Sequence, residues 1–229
     1  MLAIIRKELS HFFSSFLGLG IMTAFYVLMG IYLWWLDGNI LDYGFAEMQV
    51  FFDLSPWFFL FFIPAIAMNS FSEEIDRGTF QLICSLPLTT QQILGAKIGA
   101  LAFISLCTLF PSVIFVLSIA LLGLPTYNFD ASLIWGGYLA LFLLILCFVS
   151  IGLLSSSLSK KQPVAFILGV FLNFVFWQGT KEIGLDYIDL STHYTRMSMG
   201  VLSLGDLLFF GGFILLCWGL IRIRISYLI

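Results

Sequence analysis

Two histidines and four cysteines are all the soft metal ligands in this 229-residue chain. Cys84, Cys107, Cys147 and Cys217 form no CxxC pair, and three of them lie inside apolar runs. They read as small buried hydrophobes, not as a disulfide framework or a metal site. His11 and His193 fall outside those runs, which argues against zinc or a bis-histidine haem within a membrane. No lysine is followed by Ser or Thr, so the phosphate-cradling loop that ends in Gly-Lys-Ser/Thr is missing. If ATP drives this protein, another polypeptide binds the nucleotide and its magnesium, and no cofactor is expected here. Charge is scarce too: 10% of residues are charged, against roughly 25% in soluble domains. The sequence shows no repeats, no low-complexity tail and no soluble domain, and a nucleic-acid partner is not expected.

What is abundant is apolar. Hydrophobic residues make up 61% of the chain, phenylalanine alone supplies 26 residues, and the mean hydropathy is +1.06. The few charges cut the chain into uncharged runs at Phe12–Leu36, Leu54–Ser72, Ile98–Phe129, Ala131–Ser159, Gln162–Thr180 and Leu207–Ile221. About 20 apolar residues cross a bilayer as a helix. The last run is short, but Arg222 and Arg224 can snorkel and Leu204–Asp206 can extend it. The expected architecture is an all-α integral membrane protein with six transmembrane helices in one domain, residues 1–229. The basic start leads into an apolar stretch too long for a signal peptide, with no small-residue cleavage site, so the first span is expected to be retained.

Orientation follows from Lys and Arg. Arg6, Lys7, Arg77, Lys97, Lys160, Lys161, Arg222 and Arg224 fall on one side of six spans, and Lys181 and Arg196 on the other. Eight against two places both termini in the cytoplasm. The spans themselves hold no ionisable residue, which argues against an ion-coupled transporter or pump, and no histidine or lysine within them could activate a serine. Asn69, Asn173 and Gln178 read as interhelical hydrogen-bonding groups, and Pro64 and Pro111 as kinks.

Two cytoplasmic pieces remain. Leu2, Ile5, Leu9, Phe12 and Phe16 share one helical face, so residues 1–13 read either as an interfacial helix or as an extension of the first span. The second piece, 73–92, joins spans two and three. Glu73, Glu74 and Asp76 come first, where they would favour a helix N-terminus. Ile75, Thr79, Leu82, Ile83 and Leu86 recur at helical spacing, and Pro87 stops that helix. Thr89-Thr90-Gln91-Gln92 is a capping box, so Thr89 starts the helix that enters span three. The acidic end suits a protein partner better than an anionic lipid surface.

This arrangement resembles the membrane subunits of ABC-2-type (type V exporter-like) ABC transporters, which have an interfacial helix, six spans and a coupling helix after span two. Their coupling stretch runs as an acidic start, Gly-Thr, an apolar helix, a Leu-Pro break and Ile-Leu-Gly-x-Lys. Glu73-Glu74, Gly78-Thr79, Leu86-Pro87 and Ile93-Leu94-Gly95-Ala96-Lys97 stand in those positions. A second stretch, residues 190–206, is similar to the segment before the last span in gliding-motility-associated permeases. Ser191, His193-Tyr194, Gly200-Val201 and Asp206 match its recurring residues, and Ser203-Leu204-Gly205 stands where related chains often hold an Arg. In that family the region 179–205 forms short helices dipping back from the outer surface, and Leu185, Ile188 and Tyr194 are expected to face the membrane or a neighbour. His193, as a loop histidine, is expected to be solvated or capping, with a gating role as the other reading.

The resemblance implies a permease half of an ABC machine in a bacterial inner membrane. Its partners would be an ABC ATPase and a second copy or a related permease, in the gliding group one with a large periplasmic domain. The coupling residues would be Glu73, Glu74, Asp76, Gly78, Thr79, Leu82, Ile83, Leu86 and Thr89, and the outer residues His193, Tyr194, Gly200 and Asp206. The expected function is export or mechanical handling of an envelope component, with no covalent chemistry in this chain. A membrane scaffold without an ATPase and a secondary transporter are the alternatives.

Overall fold

The computed structural model describes residues 2–36, 48–84, 89–122, 130–184 and 187–226. Leu86, Pro87 and Leu185 lie outside the described residues, as does the side chain of Ile83. Among the described residues the regular structure is entirely helical: α1 (Leu2–Ser14), α2 (Phe16–Trp34), α3 (Gln49–Asp76), α4 (Phe80–Cys84), α5 (Thr90–Leu109), α6 (Val113–Leu122), α7 (Ala131–Leu158), α8 (Gln162–Phe174), α9 (Thr180–Glu182), α10 (Leu190–Ser198) and α11 (Leu204–Ser226). A 3-10 turn over Phe110–Ser112 joins α5 to α6, and a π turn over Val175–Gly179 joins α8 to α9. Each join leaves one continuous crossing. Among the described residues five helical stretches are long and apolar enough to span a membrane, and there are six if α1 and α2, bent by 64°, count together as one span.

α7 is the hub. It packs against α3, α5, α8, α10 and α11. Its small residues let the neighbours approach: Gly137, Ala140 and Gly152 are buried along the same helix as Leu141, Leu144, Phe148 and Leu153. Close backbone approach is how helices associate where the solvent is itself apolar. Phe25, Phe51, Phe58, Phe59 and Phe62 form an aromatic cluster between α2 and α3, with Phe25 and Phe58 at 4.6 Å between ring centres. Much of the phenylalanine therefore packs helix against helix.

α3 carries Pro56 and Pro64 in its interior. A proline has no N–H, so the carbonyls four residues back, at Phe52 and Leu60, lose their helical donor. Other helices supply one. The Tyr194 hydroxyl donates to Phe52 O at 2.5 Å, and Asn173 Nδ2 reaches Leu60 O at 3.4 Å. Asn173 is thus the interhelical group its position suggested. Pro111 sits in the 3-10 turn, where Ser112 Oγ bonds Leu109 O at 2.6 Å and the Tyr138 hydroxyl at 2.9 Å.

Candidate functional site

The polar residues gather at opposite ends of the bundle. At one end lie α1, the C-terminus of α3, α4 and the start of α5. Glu73, Glu74 and Asp76 do not open a helix there: they close α3, which runs to Asp76. Gly78, with φ +68°, takes the left-handed conformation that ends a helix, and its N–H bonds Ile75 O at 3.2 Å. The Thr79 hydroxyl caps Glu74 O at 3.4 Å. Local sequence allowed either assignment, since an acidic run before Gly can end one helix or precede the next.

Acid at a helix C-terminus opposes the helix dipole, so these carboxylates need cations. Glu73 pairs with Arg77 at 2.8 Å. Glu74, 4% exposed, is held between two lysines: Lys7 of α1 reaches Oε1 at 2.7 Å and Lys97 of α5 lies 3.0 Å from Oε2. Lys97 is fully buried. Its ammonium also bonds Glu8 of α1 at 3.0 Å and the Ser70 carbonyl, and sits 4.8 Å over the Phe71 ring. Glu74 is therefore an interior group and not a rim charge open to a partner. Asp76, Gly78, Thr79, Leu82 and Thr89 are exposed.

α4 makes an aromatic contact with α3. Phe80 is buried against Phe71, their ring centres 6.2 Å apart, while Leu82 is 67% exposed. The Thr89 capping box is present in both directions: Gln92 N to Thr89 Oγ1 at 3.3 Å and Thr89 N to Gln92 Oε1 at 3.1 Å. It starts α5 at Thr90. α1 lies across that start, with Ile4 packed on Ile93 and Ala96. Its inward side carries Ile4, Glu8 and Phe12 with Ile5 and Leu9 packed beside them, so Ile5, Leu9 and Phe12 of the expected face turn inward while Leu2 and Phe16 are outward. The same side places the Glu8 carboxylate within reach of Lys97.

At the other end, α10 lies beneath the start of α11. Asp189 caps α10, accepting from Thr192 N at 2.8 Å and from the hydroxyls of Ser191, Thr192 and Thr180. Burial opposes its charge, yet these hydrogen bonds hold its carboxyl below the usual carboxylate range. His193 is on α10 and not in a loop. Its ring stacks on Phe209 at 3.9 Å and Nδ1 lies 2.5 Å from Asp206 Oδ1. Arg196 reaches the same carboxylate oxygen at 3.3 Å, and Ser203, at the α11 N-terminus, donates to Asp206 Oδ2 at 2.7 Å. Tyr194 faces the core and not the membrane or a neighbour, because the Phe52 carbonyl requires its hydroxyl. Ile188 is exposed. Gly200, with φ +84°, closes α10: its N–H bonds Met197 O at 3.0 Å and Val201 N bonds Arg196 O at 3.3 Å. The α10 end works as a clamp, with His193 and Arg196 gripping a buried carboxylate.

Lys97 and Glu8 were not foreseen as partners, since 89 residues separate them. A largely apolar groove of about 710 Å³ opens beside the Pro111 turn, lined in part by Phe103, Cys107, Phe110, Trp135 and Phe142. The family model described as ABC-2 family transporter protein matches residues 39–180, more than half of the chain. No curated protein matches the chain.

Proposed function

The chain belongs to the ABC-2 transporter family, and from that premise we propose that it is the permease subunit of an ATP-driven transporter whose ATPase is a separate polypeptide. The observation that carries this reading is the α3–α5 connection. A short helix, α4, is held inward by Phe80 and turns Leu82 outward, beside a corner built from α1, α3 and α5. Such a segment suits a groove on a partner, in which an apolar side chain supplies most of the binding energy and the rim charges tune the rate. We assign that face to the cytoplasm, from the eight-to-two division of Lys and Arg.

ATP binding would close two ATPases, press two coupling segments together and tilt the spans joined to them. One chain of this size forms half of such a machine, so it works with a second copy or with a related permease. Its cargo is an envelope component, for which the uncharged, aromatic-rich spans are suited. Membership of the gliding-motility-associated permeases, and with it a partner bearing a large periplasmic domain, rests on Ser191, His193-Tyr194, Gly200-Val201 and Asp206. No bond-making step is assigned to this chain.

The test is purification of the intact complex from native membranes, with identification of its subunits and measurement of ATP hydrolysis. An ATPase in constant ratio to the permease is the expected result. A permease that purifies without an ATPase, and whose membranes show no dependent hydrolysis, would favour a membrane scaffold.

A further inference from the structure

We propose that Lys97 is a positioning residue that pins α1 to the α3–α5 corner, so that α1 and the coupling segment move as one body. Two lysines and two glutamates form a charge-balanced chain, Lys7–Glu74–Lys97–Glu8. α1 contributes Lys7 and Glu8, α3 contributes Glu74, and α5 contributes Lys97. Lys97 alone touches both carboxylates and the α3 backbone at Ser70. It is fully buried, and a lysine in that setting is tolerated only when its charge is matched.

The arrangement is more than is needed to neutralise the α3 terminus. Lys7 already meets Glu74, and Arg77 meets Glu73. What Lys97 adds is a bond across to Glu8, which sits between Ile4 and Phe12 on the inward face of α1. The apolar contact of Ile4 with Ile93 and Ala96 lies one turn away on the same seam. α1 bends by 64° into α2, so a push on α4 is carried through Glu74, Lys97 and Glu8 to the first span. That functional consequence rests on the proposed ATPase reading; the pin itself does not.

The experiment uses the full chain in lipid nanodiscs with no ATPase present, and reads hydrogen exchange at the α1 amides. In Lys97→Met the part-buried Glu8 loses its partner and Glu74 keeps only Lys7, and α1 exchange should rise on the order of 100-fold while α7 is unchanged. Lys97→Arg keeps the charge and should keep α1 protected. The triple variant Glu8→Gln, Glu74→Gln, Lys97→Met leaves only the exposed Lys7 charged and no stranded carboxylate, so it should restore thermal stability yet leave α1 exchanging fast. In the complex, Lys97→Met should retain the bound ATPase but lose permease-stimulated hydrolysis. Protected α1 in Lys97→Met, or a triple variant that regains both α1 protection and stimulation, would overturn the proposal. A wild-type complex lacking any ATPase would instead overturn the functional reading and leave the exchange result standing.

Discussion

Replacing Tyr194 by Phe removes one oxygen and leaves the ring, including its edge contact with Trp177 at 5.5 Å. The oxygen matters because Pro56 gives the Phe52 carbonyl no amide to accept from. Phe52 is fully buried and Tyr194 is 2% exposed, so no water replaces the hydroxyl. Stranding a buried carbonyl costs about 1–3 kcal/mol, whereas interhelical hydrogen bonds in membrane proteins reach about 1.7 kcal/mol at most. A loss of about 1.5 kcal/mol is the expectation. The proof is a cycle with Pro56→Ala, which returns an N–H to the helix at that position. In that background Tyr194→Phe should cost only about 0.5 kcal/mol, giving a coupling of about 1 kcal/mol. Equilibrium unfolding of the four proteins in mixed micelles measures it. Equal losses in both backgrounds would refute the idea that the tyrosine stands in for a missing amide.

Gly136→Ala should detach α10 from α7 at a cost of about 1–3 kcal/mol, because its Cβ would meet Met197 O at 2.8 Å and the Gly200 Cα at 2.9 Å, both backbone atoms; unfolding of the purified protein reads the cost. Asp189 has a lowered folded-state pKa, so its contribution is complete above the unfolded value near 3.9 and is lost as pH falls through the lower folded value; exchange at α10 should quicken only in that acidic window, and Asp189→Ala should bring the same quickening to neutral pH. In a chain freed of its native cysteines, a cysteine at Asn128 should react with an impermeant reagent from outside and one at Ser159 should not; the reverse would overturn the orientation.

The spans were legible because charge is so rare that each charged group marks a boundary. The Thr89 capping box was legible because both partners lie within one turn. The α10 helix was legible as short amphipathic structure, but the direction of Tyr194 was not: the group that needs its hydroxyl is a carbonyl orphaned by Pro56, 142 residues away along the Phe52 contact. Lys97 was legible as a cytoplasmic cation on the helix entering span three, but not as a buried one, because nothing near it in sequence matches its charge. Only folding brings Glu8 and Glu74 to it. Gly78 before Thr79 was the local signal for the end of α3.

The central claim is that the segment after α3 docks a separate ATPase. Its most direct test is the double substitution Leu82→Asp and Leu86→Asp in the complex purified from native membranes. The permease should still insert, and its α1 amides should stay protected, while the ATPase and the stimulated hydrolysis are lost. A double variant that keeps both its ATPase and full stimulated hydrolysis would show that this segment is not the coupling element.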